Sequence, residues 1–501
     1  MATKKRSSVL VRPGGDKHVQ PSTLREFGKS RMTTYAVAVN LDRSVPDLYD
    51  GLKPVQRRIL WGMSSNSGRQ IQKAAEQVGF VMGKLHPHGN SGIYGAMVTM
   101  VNHPSPTIFG SGNWGSMLDG PAAERYTECK LTNYGMSFAE SDYITKEVTA
   151  FVPNYNDKWV EPVTLPAQLP NVLLNGGEGI GVGITTKLPS FTPESVITIL
   201  LRMFKGEKLE IKDFARTLKF AHRYGGQMVN TKENRAAYLQ MFKGSMAKVQ
   251  FESNLEVQRD QKRIIISDWP PGTNIESFVK KVRAMPETLS CNNSAGATTY
   301  MVECKPAYNF DQFDKFVDKV HKVTMTRQVY RLNVTIRTPI FRDGVVDFET
   351  QFKDYSVPRL ILQWCRMRVA LELKALAHRV VQTLDRIDYA ETMIKACDHI
   401  DEIIKVIRRS EEPEKALVTK LKIKPHQAKW ICDLQLRKIS KLDENKYKND
   451  LKTEQAHLKQ LKAWEAKPKT KIILDLERMA ELIKKDQAFQ HKEDTQELEV
   501  V

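Results

Sequence analysis

Between positions 31 and 165, apolar residues recur at helical spacing in short runs separated by glycine and proline. Pro54-Val55-Gln56-Arg57-Arg58-Ile59-Leu60-Trp61-Gly62-Met63 predicts one helix, with proline in the first turn where its missing N–H costs nothing. A second is expected near Gln72 to Met82. A third follows His86-Pro87-His88-Gly89, with Asn90 or Ser91 as N-cap and Ile93, Tyr94, Met97, Val98 and Val101 on one side. Three short helices with tight connections suit a helix-turn-helix or winged-helix module. From 166 to 350 strand signals alternate with helices. Ala247–Phe251 and Ile264–Ile266 flank a charged turn, and Asp268-Trp269-Pro270-Pro271-Gly272 closes the hairpin they are expected to form. This reads as a separate mixed α/β domain.

From 351 to 485 the pattern is strongly helical. Leu373, Val380, Ile387 and Ile394 recur every seven residues, with Leu376, Thr383, Ala390 and Cys397 at the intervening offset, a coiled-coil seam. Pro413 and Pro425 interrupt it around a small helical cluster. Helix resumes through Leu451, Leu458 and Leu461, breaks at Pro468, and continues with Ile472, Leu476, Met479 and Ile483. Two long helices joined by a knob make an antiparallel arm with an association surface at its tip; an ordinary helical bundle has the same periodicity. Residues 1–30, with Lys4, Lys5, Arg6, Arg12, Lys17 and Arg25, read as a flexible basic arm, and 486–501 as a disordered tail. The fold class expected is α+β and multidomain.

Charge narrows the partner. Lysine and arginine number 76 against 58 acids, a net charge of +18, and such an excess commonly marks a polyanion, usually nucleic acid. No apolar run approaches a membrane span, and the basic, polar N-terminus lacks the core of a secretory signal. Six cysteines (129, 291, 304, 365, 397, 432) form no CxxC pair and no zinc spacing, which fits a reducing cytoplasm and argues against structural metal.

Four segments carry candidate chemistry. They are Arg43-Ser44-Val45-Pro46-Asp47-Leu48-Tyr49-Asp50-Gly51-Leu52-Lys53-Pro54-Val55-Gln56-Arg57-Arg58; Lys84-Leu85-His86-Pro87-His88-Gly89-Asn90-Ser91-Gly92-Ile93-Tyr94; Gly112-Asn113-Trp114-Gly115-Ser116 with Ala122-Ala123-Glu124-Arg125-Tyr126-Thr127-Glu128; and Leu169-Pro170-Asn171-Val172-Leu173-Leu174-Asn175-Gly176-Gly177-Glu178-Gly179-Ile180-Gly181-Val182-Gly183. Each alone is common. A tyrosine beside an arginine is ordinary, two histidines around a proline can stiffen a turn, and the glycine-rich run lacks the GK[ST] ending of a phosphate loop.

In this order and spacing, the four segments resemble the gyrase A / topoisomerase IV A family of type IIA DNA topoisomerases, over roughly residues 30–485. The resemblance implies a winged-helix breakage-reunion domain over 31–165, a tower domain over 166–350, and a coiled coil with a helical dimerisation tip over 351–485. It extends through Asp433-Leu434-Gln435-Leu436-Arg437-Lys438-Ile439. It implies Tyr126 as the nucleophile that forms a 5′-phosphotyrosine with DNA, and Arg125 as the cation that steadies the phenolate and the transferring phosphoryl group. Both roles suit the chemistry, because a phenol of pKa ~10 is a poor nucleophile without electropositive neighbours. Arg43, Lys53, Arg57, Arg58, His86, His88 and Ser91 map onto DNA-contacting positions, His88 with a weaker claim to proton transfer. Ile180 maps onto an apolar wedge between base pairs.

The chain shows no toprim pattern and no ATPase motif. By the resemblance, magnesium and ATP are therefore expected on a partner chain, with this chain a homodimer inside a heterotetramer or larger assembly. No wrapping propeller or GQRG-type box follows the coiled coil, so relaxation and decatenation are expected rather than supercoiling. A short separate breakage chain of this kind is most similar to the medium subunit of T-even-type phage topoisomerases. Asn90, Gly95 and Gln56 depart from the family pattern, which puts a drug site and one DNA contact in doubt. The competing readings are a DNA-binding relative without chemistry, and a tyrosine recombinase or type IB enzyme. The last places its tyrosine late in the chain, whereas Tyr126 lies in the first third.

Overall fold

The computed structural model describes residues 23–66, 68–293, 298–342, 345–434 and 441–498, with backbone alone at 42, 341–342, 345–348, 441–443 and 487–498. Residues 1–22 of the expected basic arm, 435–439 of the Asp433–Ile439 segment and 499–501 of the expected tail lie outside the described residues. The chain divides into two compact units. One comprises the described parts of 1–140, 149–366 and 476–501, the other 141–148 and 367–475.

In the first unit, the three expected helices form at Pro54–Ser65, Ala74–Lys84 and Asn90–Val101. Their inward faces carry Ile59, Leu60, Met63, Val78, Val81, Ile93, Met97 and Met100, all essentially inaccessible, at the three- and four-residue spacing of one helical face. The first opens with Pro54 at its first position, and Gln56 Oε1 accepts from the Lys53 N–H at 2.9 Å. The third departs from expectation at its start. Its N-cap is Gly89, which has no side chain to offer, and neither Asn90 nor Ser91 caps it. A three-stranded antiparallel sheet in the order Gln72–Lys73, Glu128–Leu131, Ile108–Ser111 lies against these helices.

Beyond residue 170 the same unit holds a five-stranded sheet, in the order Gly177–Ile180, Thr185–Leu188, Thr326–Arg331, Met246–Glu252, Gln227–Met228. A separate four-stranded sheet runs Leu255–Gln258, Arg263–Ile266, Tyr300–Cys304, Thr288–Asn293. Helices Ile275–Arg283 and Phe310–Thr324 pack Phe278, Phe313, Phe316 and Val320 with Trp269 over it. The hairpin expected from Ala247–Phe251 and Ile264–Ile266 is therefore corrected. The first strand pairs with Thr326–Arg331, and the second with Leu255–Gln258. The chain changes sheet at Ser253-Asn254, where both carboxylate oxygens of Asp268 accept from the Asn254 backbone and side-chain amides.

In the second unit, the helix Val357–Asp398 supplies residues from Met367 onward. Helices Ile400–Arg409, Pro413–Leu421 and Pro425–Cys432 form a knob around Met393, Ile403, Leu417, Leu421 and Ile431. Helix Lys441–Ala466 follows, and then the first residues of Pro468–Leu498, a helix whose part from Leu476 onward belongs to the first unit and runs past residue 486, where a disordered tail is expected. Leu376, Thr383, Ile387 and Ala390 are buried as the heptad requires, but Leu373 is 40% exposed. Arg368 and Glu372 occupy the interior instead. Arg368 bonds Glu372 at 2.8 Å and Asp475 at 3.1 Å, and the Tyr143 hydroxyl donates to Glu372 at 2.7 Å. Opposite charges meeting in pairs make burial tolerable there, which period alone does not reveal. Among the described residues, no helix is long and apolar enough to cross a membrane.

Candidate active site

Tyr126 sits on the segment joining the strands Ile108–Ser111 and Glu128–Leu131. Helix starts leave backbone N–H groups unbonded, and here the helix Ala74–Lys84 uses them on this segment. The Ala74 N–H donates to Thr127 O at 3.0 Å and the Ala75 N–H to Glu124 O at 3.1 Å. The next helix adds two side chains. The Tyr94 hydroxyl donates to Ala122 O at 2.6 Å and lies 3.1 Å from Thr127 Oγ1, while Asn90 Nδ2 donates to Glu124 Oε1 at 2.9 Å. Underneath, Trp114 Nε1 donates to Ser111 O and Glu128 O. Residue 110 has to be glycine, since a Cβ would come within 2.5 Å of Trp114 Nε1.

The backbone is thus held on both sides of the nucleophile candidate, and the side chain is left exposed. Tyr126 is 64% exposed, with the Arg125 guanidinium 4.6 Å from its ring centroid. A hydrogen bond to Tyr126 raises the pKa of Arg125, so the cation stays charged beside the phenol. A phenol presented to solvent with a fixed cation against it can act as a nucleophile whose oxyanion is stabilised in place.

The second group gathers near the start of the helix Asn90–Val101. Arg58 grips Glu161 with two bonds of 2.7 Å and places Nη1 2.9 Å from His86 Nδ1. Burial, followed by the charges of Arg58, His88 and Arg43, pulls the His86 pKa down to about 4. His86 is therefore a neutral imidazole whose Nδ1 accepts from Arg58, leaving Nε2–H as a donor. His88 meets His86 edge-on at 4.4 Å between ring centroids and is exposed, as are Arg43 and Ser91. Lys53 Nζ donates to Glu178 O at 2.6 Å, on the hairpin that carries Ile180. Ile180 projects from the end of that hairpin and is 79% exposed.

Arg57 requires correction as a DNA-contact candidate. It is 3% exposed, with Nε 2.6 Å and Nη2 3.0 Å from the two oxygens of Asp50, and Nη2 also donates to Leu52 O. Its guanidinium is engaged in holding the 47–53 turn. Sequence reasoning missed Glu161, Asn90's tether to Glu124 and the polar end of Tyr94. Tyr94 was legible only as a member of an apolar helical face, and no local pattern marks Glu161.

Among the described residues, no group of three or more His, Cys, Asp or Glu is placed to hold a metal ion. The donors beside Tyr126 do not suit magnesium, which wants free carboxylate oxygens. Glu124 is engaged by Asn90, Glu128 pairs with Lys73 at 2.8 Å, and Arg125 repels a cation.

The family model for the A subunit of DNA gyrase/topoisomerase IV matches residues 43–477, which include all four motif segments. The chain is 30% identical over 476 residues to the A subunit of DNA topoisomerase 4 from Neisseria gonorrhoeae, covering 88% of this chain and 61% of that protein. It is 28% identical over 443 residues to the A subunit of DNA topoisomerase 4 from Escherichia coli, covering 85% and 57%. It is also 28% identical over 440 residues to the A subunit of DNA gyrase from Staphylococcus epidermidis, covering 85% and 48%. The matched region thus spans between about half and three-fifths of these relatives' own length.

Proposed function

The chain belongs to the DNA gyrase A / topoisomerase IV A family, and from that premise we propose that it is the DNA-breaking and rejoining subunit of a type IIA topoisomerase. The observation that carries this reading is the exposed Tyr126 under the Arg125 guanidinium, on a segment clamped by two helices. In the reaction proposed, Tyr126 Oη attacks the scissile phosphorus. The P–O3′ bond breaks, the 3′ oxygen leaves and takes up a proton, and the tyrosine ester of the 5′-phosphate conserves the bond. Attack of that 3′-hydroxyl on phosphorus reverses the step and returns the phenol. Arg125 stabilises the phenolate and the equatorial phosphoryl oxygens.

Arg43, Lys53, Arg58, His86, His88 and Ser91 are read as the surface that seats the DNA backbone, with His86 acting as a neutral donor. Helices Pro54–Ser65, Ala74–Lys84 and Asn90–Val101 with their three-stranded sheet are read as a winged-helix domain. The sheets beyond residue 170 are read as the tower, and the helical knob as a dimerisation tip. Two copies associate, and a partner in the cytoplasm contributes the toprim domain with its magnesium and the ATPase. Two Tyr126 residues then cut opposite strands, a second duplex passes, and the strands are resealed.

The test is a cleavage-trapping assay on supercoiled plasmid with magnesium and a toprim/ATPase partner, stopped with detergent. Wild type is expected to leave linear DNA with protein on its 5′ ends, and Tyr126→Phe none. A wild type that leaves no covalent complex would reduce the chain to a DNA-binding relative, and a 3′ linkage would place the chemistry with type IB enzymes. The same plasmid, followed without detergent, decides between relaxation and supercoiling.

A further inference from the structure

The hairpin that carries Ile180 is a poor wedge on its own composition. Five of the eight residues from 176 to 183 are glycine, and its strands pair over only four residues each. Glycine has the most backbone freedom to lose, so such a hairpin, left to itself, bends before a stacked duplex does. Something outside it has to make it stiff.

The stiffening comes from one turn of chain, Asn40–Ser44, which is wound as a π-helix and closed by the Val45 N–H on Asn40 O at 3.2 Å. Such turns are rare and concentrate at functional positions. Asn40 is 7% exposed, and its amide engages both backbone groups of Val182. Oδ1 accepts from the Val182 N–H at 2.9 Å, and Nδ2 donates to Val182 O at 3.1 Å, as a neighbouring strand would. Ser44 Oγ donates to the carbonyl of Ile180 itself at 3.1 Å. The approach is close enough to dictate residue type. A Cβ on Gly181 would lie 1.9 Å from Asn40 Oδ1, and one on Gly179 would lie 1.9 Å from Ser44 O. With Lys53 on Glu178 O, the hairpin backbone is tied from outside at 178, 180 and 182. The Ile180 side chain is left projecting.

We propose that Asn40, supported by Ser44, is the positioning residue that fixes the depth and direction of Ile180, making the π-turn a rigid mount for the wedge. Arg43 belongs to the same turn. The mount therefore ties a phosphate contact to the intercalation point at a set distance, and the duplex yields instead of the hairpin. This inference rests on the reading of Ile180 as a wedge.

The test measures energy transfer between dyes at the two ends of a short duplex bound by the full chain, alongside anisotropy on the same duplex for affinity. Asn40→Ala and Gly181→Ala attack the contact from opposite sides, and both are expected to drop the transfer to the level of Ile180→Ala. Affinity should change by less than about threefold, because phosphate contacts dominate it. Asn40→Asp keeps the acceptor for the Val182 N–H but loses the donor, and an intermediate transfer is expected; it also serves if Asn40→Ala fails to fold. If Ile180→Ala loses the bend while the Asn40 and Gly181 variants keep it, the mount is overturned. If wild type and Ile180→Ala give equal transfer, the wedge reading itself fails.

Discussion

At the residue scale, one hydroxyl governs more of the candidate site than its sequence position suggests. Tyr94 buries its ring against Trp114, with centroids 5.5 Å apart, and sends its hydroxyl to Ala122 O and Thr127 Oγ1 on either side of Arg125-Tyr126. Tyr94→Phe keeps the ring and removes both contacts. The two helix N–H groups still hold Glu124 and Thr127, so the fold should lose only about 1 kcal/mol. A nucleophile displaced by even ~1 Å slows its reaction up to about a hundredfold, so single-turnover cleavage should fall by roughly ten- to a hundredfold with DNA affinity unchanged. A variant that cleaves at the wild-type rate would make the hydroxyl a mere space-filler. The pairing of Arg125 with Tyr126 was legible because the two are adjacent. Arg57 was misread for the complementary reason, since nothing in Gln56-Arg57-Arg58 says which arginine turns inward to Asp50 and which outward to Glu161.

At the scale of elements, period predicts where a helix runs better than what it buries. The helix Val357–Asp398 lies where the heptad places it, yet near its start the interior positions are Arg368 and Glu372. Sequence spacing cannot show this, because the partners that make it tolerable, Tyr143 and Asp475, are 225 and 107 residues from Arg368. Removing one member of such a cluster strands the others. Arg368→Leu should therefore destabilise the second unit by about 3–5 kcal/mol, while Arg368→Met with Glu372→Leu should lose less. Urea denaturation followed by helical circular dichroism checks this, and equal losses would show that the charges are not interdependent. The misassigned hairpin at 247–266 has a similar origin. Alternation marks the strands, but their pairing depends on Asp268 holding Asn254 where the chain changes sheet.

At the scale of the whole molecule, the three helices around Tyr126 and the contact of Arg125 with its ring were legible in the sequence, because each depends on residues close together in the chain. Part of what it left hidden, such as Asn40 under Val182 and Glu161 under Arg58, depends on contacts across more than a hundred residues. Acid response is another property of the ensemble. Burial lowers the pKa of His86, His103 and His222 from 6.5 to about 4, whereas Asp47, buried and beside Asp50, rises from 3.8 to about 6. The unfolded chain protonates the three histidines near 6.5 and the folded chain only near 4, so their contribution to stability is lost as pH falls through that window. Asp47 acts oppositely, with a contribution that grows as pH falls from about 6 to 3.8. Three histidines against Asp47 and Asp486, whose carboxyl pKa burial also raises, predict a melting temperature that drops between pH 6.5 and 4, and less steeply in His222→Phe. A melting temperature flat across that range would contradict it. The unit that carries Tyr126 is also assembled from three separate stretches of chain. Asp486 accepts from the Asn133 and Tyr134 N–H groups, closing a contact made 353 and 352 residues later in the chain. A ribosome that has already released Tyr126 must therefore carry synthesis as far as Asp486 before this unit can close. Until then Tyr126 of a nascent chain is in an incomplete fold, so the candidate site is completed only late in translation.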